Sequence, residues 1–454
     1  MRNALSVSAL VVGLVVLAAC TPEPRNYGTG GGGSGGGGPG SGGSGGDNPG
    51  CAPGTASCDD MPGCETSTTD DPLNCGGCGV VCERACVAGV CNDPRHITAG
   101  YDQTCVRTGI GEVYCWGRNE SGELGLGSKV LTAAPAKVGL ATKAVDVDAG
   151  GGVFNNAAGE EEVSAHTCVV LDDTTVQCWG ANGTGQLGIG SVGWRDTPTT
   201  VISLVGAVSV STGGRHTCAV TNKNELYCWG ANDRGQIGIG MMSPEVDTPT
   251  KVPLDGVRQV SAGYEHTCAV LMDDTLYCWG RDGIMGPLGL GGGSDQPSPK
   301  VVSFTGVERV SSGSTHTCAL KGGQQYCWGN GYQGQLGIEN EYTSRTTPTD
   351  PSAVPSPIFV SSSFHHTASI SDNGGQVYVT GVNVPLGNGT TDSTYVPLPV
   401  ELFDATEIAA GRLHTCAITG GGRIFCWGDN EFGQTGAGAP ALEDVLVPTS
   451  VTFP

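Results

Sequence analysis

From about Ile97 to the end, short runs of aliphatic and aromatic residues alternate with Gly, Pro, Asp and Asn. One unit reads "PTKVPL" (249–254), "VRQVSAGYEHTCAVL" (257–271) and "DTLYCWG" (274–280), then a Gly-rich turn of the form GxLGxG. These are short strands separated by turn residues, the signature of hairpins. The centre of the unit returns as "AHTCVVLDDTTVQCWG" (165–180), "THTCALKGGQQYCWG" (315–329) and "LHTCAITGGGRIFCWG" (413–428). With variants at 102–117 and 365–381 it occurs seven times, about 50 residues apart, and a period of that size means a repeat architecture.

The spacing of the paired cysteines follows from folding each centre as a hairpin. Turning 218–228 about Lys223 sets Cys218 opposite Cys228 and Val220 opposite Leu226 on one face. Ala219 then meets Tyr227, and Thr217 meets Trp229, on the other. Directly opposed antiparallel residues lie about 4.5–5.5 Å apart at Cα, within disulfide reach. Cys318 and Cys327 are one residue closer in sequence and still oppose across a two-residue Gly322-Gly323 turn. The sixth copy has Ala368 and Val379 at these places, so both cysteines are lost together. Six intra-blade disulfides are expected: Cys105–Cys115, Cys168–Cys178, Cys218–Cys228, Cys268–Cys278, Cys318–Cys327 and Cys416–Cys426.

Seven P-x-x-V strands occur, near Pro135, Pro198, Pro249, Pro299, Pro348, Pro397 and Pro448. The first hairpin has no such strand before it and the last strand, 447–453, has no hairpin after it. The expected fold is therefore all-β: a seven-bladed propeller over 96–454 in which the C-terminal strand completes the first blade and closes the ring.

The "HTCAV…YCWGxNxxGQLGxG" unit, seen best as "WGANGTGQLGIG" (179–190), resembles the regulator of chromosome condensation (BNR-type) repeat family. The resemblance covers about 97–454; the cysteines depart from its nuclear members. It implies three function classes: a protein-interaction scaffold, an inhibitor or sequestering protein like secreted family propellers that block β-lactamases, or guanine-nucleotide exchange on a small GTPase.

Upstream, Arg2 and the apolar run "ALVVGLVVLAA" read as an export signal over 1–19. It ends in "LAAC", which resembles the bacterial lipobox and implies lipidation of Cys20. Two or more acyl chains anchor a protein stably. Thr21, in place of the Asp that retains enteric lipoproteins at the inner membrane, favours the outer membrane or cell surface. Residues 20–50 form a Gly/Ser-rich tether that has nothing to bury. Residues 51–95 hold Cys51, Cys58, Cys64, Cys75, Cys78, Cys82, Cys86 and Cys91 with few aliphatics, a module stapled by disulfides of unassigned connectivity. The C-x2-C of Cys75 and Cys78 admits zinc in a reducing compartment, and an oxidising one argues for disulfides. The segment resembles a cysteine-rich motif of myxobacterial surface lipoproteins.

Composition narrows the chemistry. The 44 acidic residues against 22 basic give a net charge of −22, which repels phosphate backbones and disfavours nucleic acid as a partner. "GTGQLG" (183–188) matches a dinucleotide fingerprint in letters only, since no helix follows. The recurring His166, His216, His266, His316, His366 and His414 are expected to hydrogen-bond within their own blades. The recurring tryptophans, Trp116 to Trp427, are expected between blades. No catalytic set stands apart from the repeat, so no enzyme activity, cofactor or metal is expected, and the propeller reads as a monomer.

What breaks the repeat points to function, because binding residues favour loops on a rigid scaffold. The second copy inserts "GGVFNNAAGEEEVSA" between Gly150 and His166. That loop carries Phe154, Asn155, Asn156, Glu160, Glu161 and Glu162; loop 191–197 adds Trp194 and Arg195. These are the candidate contacts for a protein partner at the cell envelope, with the membrane reached through the lipid anchor alone.

Overall fold

A computed structural model describes residues 55–56, 66–67, 82 and 84–454, apart from 156–160, 339–342, 349–351, 383–384 and 439–442. The chain divides into two units, 1–92 and 93–454. In the first, Thr55–Ala56 pairs with Thr66–Ser67 and Cys86–Val87 pairs with Val90–Cys91. Ala88 and Gly89, both at positive φ, make the two-residue turn of the second hairpin. Cys82 and Cys91 form a disulfide with Cα atoms 5.3 Å apart, and Cys86 is also disulfide-bonded. Cys51, Cys58, Cys64, Cys75 and Cys78 lie outside the described residues, as do the signal, Cys20 and the tether.

The second unit is a ring of seven antiparallel sheets. Each blade runs outward from an inner strand a through the hairpin b–c to an outer strand d. Blade 3 shows the pattern with Ala207–Thr212, His216–Thr221, Glu225–Asn232 and Ser243–Asp255. Blade 5 keeps three strands among the described residues: Arg309–Ser312, His316–Lys321 and Gln324–Gly329. The hairpin register is the expected one, with Cys218 opposite Cys228, Ala219 opposite Tyr227 and Val220 opposite Leu226. All six propeller bridges form with Cα atoms 4.1 Å apart. In blade 6, Ala368 stands opposite Val379 in the same place.

Strand alternation decides how the blades stack. In blade 3, Cys218, Val220, Leu226 and Cys228 all face forward and pack on Val260, Ala269 and Trp279 of blade 4. The same cluster recurs between blades 2 and 3 and between 4 and 5. A core thus lies between successive blades, built from one blade's disulfide face and the next blade's Ala/Trp face. Burying the apolar part of such a stack contributes about 25 cal/mol per Å² removed from water.

Ring closure differs from the sequence expectation. The last strand, Val445–Ser450, pairs with Ile424–Gly428 inside blade 7, and blade 1 has its own outer strand, Thr132–Lys137. The six P-x-x-V strands among the described residues follow their hairpins instead of preceding them, because the GxLGxG loop returns the chain antiparallel to strand c. The C-terminal segment still seals the ring by packing. Val451 joins Ile97, Val106 and Trp116 of blade 1, and Phe453 meets the Tyr114 ring at 4.7 Å.

Candidate functional site

The repeat signature is spent on joining blades. Thr217 Oγ donates to the Gln186 carbonyl at 2.8 Å, and Trp229 Nε1 donates to the same carbonyl at 2.9 Å. Gln186 belongs to the GxLGxG loop of the preceding blade. Glu123 accepts likewise from Thr167 and Trp179, and Gln434 from Thr104 and Trp116 where the ring closes. The sequence places these bonds within each blade; His366 keeps one there, its Nδ1 lying 2.9 Å from Ser363 Oγ, but the recurring bond runs between blades. Each Nε2 reaches the threonine of the next blade: His166 to Thr217 at 2.9 Å, His216 to Thr267 and His266 to Thr317 at 2.8 Å. His316, His366 and His414 continue to Thr367, Thr415 and Thr104. Where the threonine proton goes to a carbonyl, the imidazole donates from Nε2 and is neutral. Burial holds all six histidines down, to about 4 for His166 and His266 and about 3 for His216, His316, His366 and His414. They are joints between blades.

The a–b and c–d loops share one face of the ring, here the upper face; the b–c tips and d–a links share the lower. Both repeat-breaking loops are on the upper face. The insertion rises as a small hairpin, Val153–Asn155 against Glu161–Val163, with Phe154 opposite Glu162. Its base is pinned: Tyr264 donates to the Val153 carbonyl, and Ser164 Oγ donates to the Gly214 carbonyl at 2.7 Å. Arg215 lies 5.0 Å from the Phe154 ring centroid. Asn155 and Glu161 belong to the paired backbone; Asn156 and Glu160 lie outside the described residues.

The insertion and loop 191–197 flank one groove of about 400 Å³ between blades 1 and 2. Phe154 and Glu162 line it from the insertion, Trp194 from blade 2, and Arg118, Glu120 and Lys129 from blade 1. Asn182 shapes the Trp194 loop by accepting from Leu187 N and donating to the Ser191 carbonyl at 2.7 Å. Trp194 remains 51% exposed, whereas the other six tryptophans are fully buried. The Lys129 ammonium lies 3.4 Å from its ring centroid. Arg195 is not a groove residue: it turns back to the Gly193 and Trp194 carbonyls at 2.9 Å. Below the groove is Glu123, fully buried at the place that Gln186, Gln236 and Gln434 occupy in other blades. Burial raises its carboxyl to about 7, against the pull of backbone hydrogen bonds from its own amide and Ser121.

Sequence reasoning missed a second cluster at the centre of this face. Tyr101 and Tyr264 meet Phe364 edge-on at 5.3 and 5.6 Å, and Arg412 lies 4.8 Å from the Tyr101 centroid. Arg412 in turn reaches buried Asp102 at 2.8 Å, which Arg118 approaches at 3.4 Å. The signal was present, since these aromatics stand two places before the Gln or His of each unit ("GYDQT", "GYEHT", "SFHHT"), where the seventh copy carries Arg412 and the remaining copies Gly or Ser.

Comparison with known proteins agrees with this architecture. The family model of the RCC1-like domain matches residues 175–454, and that of the regulator of chromosome condensation (RCC1) repeat matches 111–153 and 95–123. The chain is 34% identical over 139 residues to the ultraviolet-B receptor UVR8 of Arabidopsis thaliana, covering 29% of this chain and 31% of UVR8. It is 36% identical over 105 residues to the human regulator of chromosome condensation, covering 22% of this chain and 25% of that one. The match therefore spans under a third of either relative's length. Among solved structures it resembles human WBSCR16 with a TM-score of 0.67 at 24% identity, covering 76% of this chain and 94% of that chain. It resembles yeast RCC1 (Prp20), solved with Kap60, with a TM-score of 0.65 at 21% identity, covering 80% and 85%. At these identities the structural likeness shows the fold.

Proposed function

The chain belongs to the RCC1-like domain family, and on that premise we propose that it is an exported, lipid-anchored, non-enzymatic scaffold that binds a protein partner through its upper face. The observation that carries this is the groove between blades 1 and 2. Two loops that break the repeat at separate places converge there on Phe154, Glu162 and Trp194. Rigid scaffolds that differ chiefly in their loops commonly bind through them. The lipobox-like "LAAC" supplies the anchor at Cys20. Structurally similar proteins bind proteins: yeast RCC1 has been solved bound to Kap60, and Prp20p binds Gsp1p and histones. That supports a binding role here without naming this partner.

The test is capture from the envelope and medium of the source organism. The oxidised chain from Pro49 onward is one bait, and the same chain lacking 151–163, which leaves Ser164 and Ala165 as the two residues of other copies, is the second. A protein retained by the first and lost from the second is expected. Identical captures on both baits would remove the groove from the account. Anchoring is tested separately: Cys20→Ala should move the protein from the membrane to the soluble fraction, and equal fractionation would remove the lipid.

A further inference from the structure

Cationic groups already cover both aromatic rings of the groove. Arg215 over Phe154 is fixed, with Asp233 at 3.3 Å and Glu265 at 3.7 Å and a side chain only 15% exposed. Lys129 over Trp194 is different: it is exposed, long and held by the ring alone among its described contacts. Trp is the best cation–π acceptor of the three aromatic side chains. Beside it stand two exposed carboxylates, Glu120 and Glu162, the first paired with Arg118, whose charge Asp102 also offsets. The chain as a whole carries twice as many acids as bases, 44 against 22. Such a field draws cations toward the groove and repels anions.

We propose that this groove binds a basic peptide segment of the partner, one Lys or Arg of which replaces Lys129 on the Trp194 face. Lys129 is then a built-in competitor, occupying the subsite until a better cation arrives. The incoming side chain stacks on Trp194 while Glu120 and Glu162 take its remaining charge. No bond is made or broken; one cation exchanges for another. This reading deepens the scaffold function above and rests on it.

The probe is a fluorescein-labelled hexa-arginine amide, followed by anisotropy on the oxidised chain at low and moderate salt, with labelled hexaglutamate as control. Saturable binding that weakens with salt is expected for the arginine probe only. Lys129→Ala should tighten it about 2- to 5-fold, the worth of an exposed cation–π contact. Trp194→Leu should weaken it at least as much, and Glu120→Gln with Glu162→Gln should weaken it and flatten the salt dependence. Because the other six tryptophans are buried, acrylamide quenching reads Trp194 alone, and the probe should shield it. Affinity unchanged in Trp194→Leu, or weakened by Lys129→Ala, would overturn the proposal. Shielding of Trp194 by neutral chitotetraose but not by the arginine probe would overturn it in favour of a carbohydrate. In either case the capture experiment still decides the scaffold function, since it does not depend on the charge of the partner.

Discussion

Glu123 shows how one atom's difference sets a local pH response. It stands where sister blades carry Gln, and one of its carboxylate oxygens is buried without a hydrogen-bond partner. Its folded pKa is raised to about 7 from an ordinary 4.5. The native state therefore holds a proton that the unfolded chain has lost. The contribution of Glu123 to stability is greatest below pH 4.5, falls as pH rises toward 7, and stays reduced above. Glu123→Gln removes that loss, so urea denaturation should show it more stable at pH 8, by on the order of 1–3 kcal/mol. The gap should close near pH 4.5. A second residue-scale test concerns the joints. Thr267→Val strips His216 Nε2 of its acceptor and the Gln236 carbonyl of a donor, and should cost about 1–3 kcal/mol.

At the scale of the hairpin, the sequence was legible because one rule, side-chain alternation, fixes both register and face. The opposition of Cys218 to Cys228 needed only the position of the tip, and the structure has the same pairs. Blade 6 offers a constructive test. Ala368 and Val379 occupy the disulfide positions, so Ala368→Cys with Val379→Cys should form a seventh bridge. Mass spectrometry should show the loss of two hydrogens, and the denaturation midpoint should rise by the equivalent of about 2–3 kcal/mol. What the hairpin pattern could not give was the partner of each histidine. A period of about 50 residues places identical side chains on every blade. Whether His216 bonds at home or next door depends on the distance between blades, which no local pattern encodes. The place of the P-x-x-V strand was misread for a related reason, since a strand between two hairpins can pair with either.

Across the whole ring, closure and pH response are joined at His96. It lies on strand a of blade 1 between Glu407 of blade 7 at 3.1 Å and Asp146 of blade 2 at 3.8 Å. Burial works against its charge, but Glu407 by charge and hydrogen bond, and Asp146 by charge, outweigh that and raise it to about 9. Its contribution to stability is complete below about pH 6.5 and is lost as pH rises through 9. The side chain keeps 29% exposure, so solvent and salt temper the effect. The six buried histidines act in the opposite sense. Their neutral form is the native one, so their contribution is intact above about 6.5 and is lost as pH falls toward 3–4. Thermal melting should fall steeply below pH 6 and more gently above pH 8, and His96→Gln should abolish only the alkaline limb. The sequence revealed the loops that build the groove as departures from the repeat. It could not show that 151–163 and 191–197 meet, because their meeting depends on both projecting from one face of the closed ring. The most direct test is a photo-crosslinking amino acid placed at Trp194 on the upper face or at Phe403 on the lower, in the chain expressed in intact cells of the source organism. We expect one envelope protein to be linked from position 194 and none from position 403; linkage from 403 alone would contradict binding through the upper face.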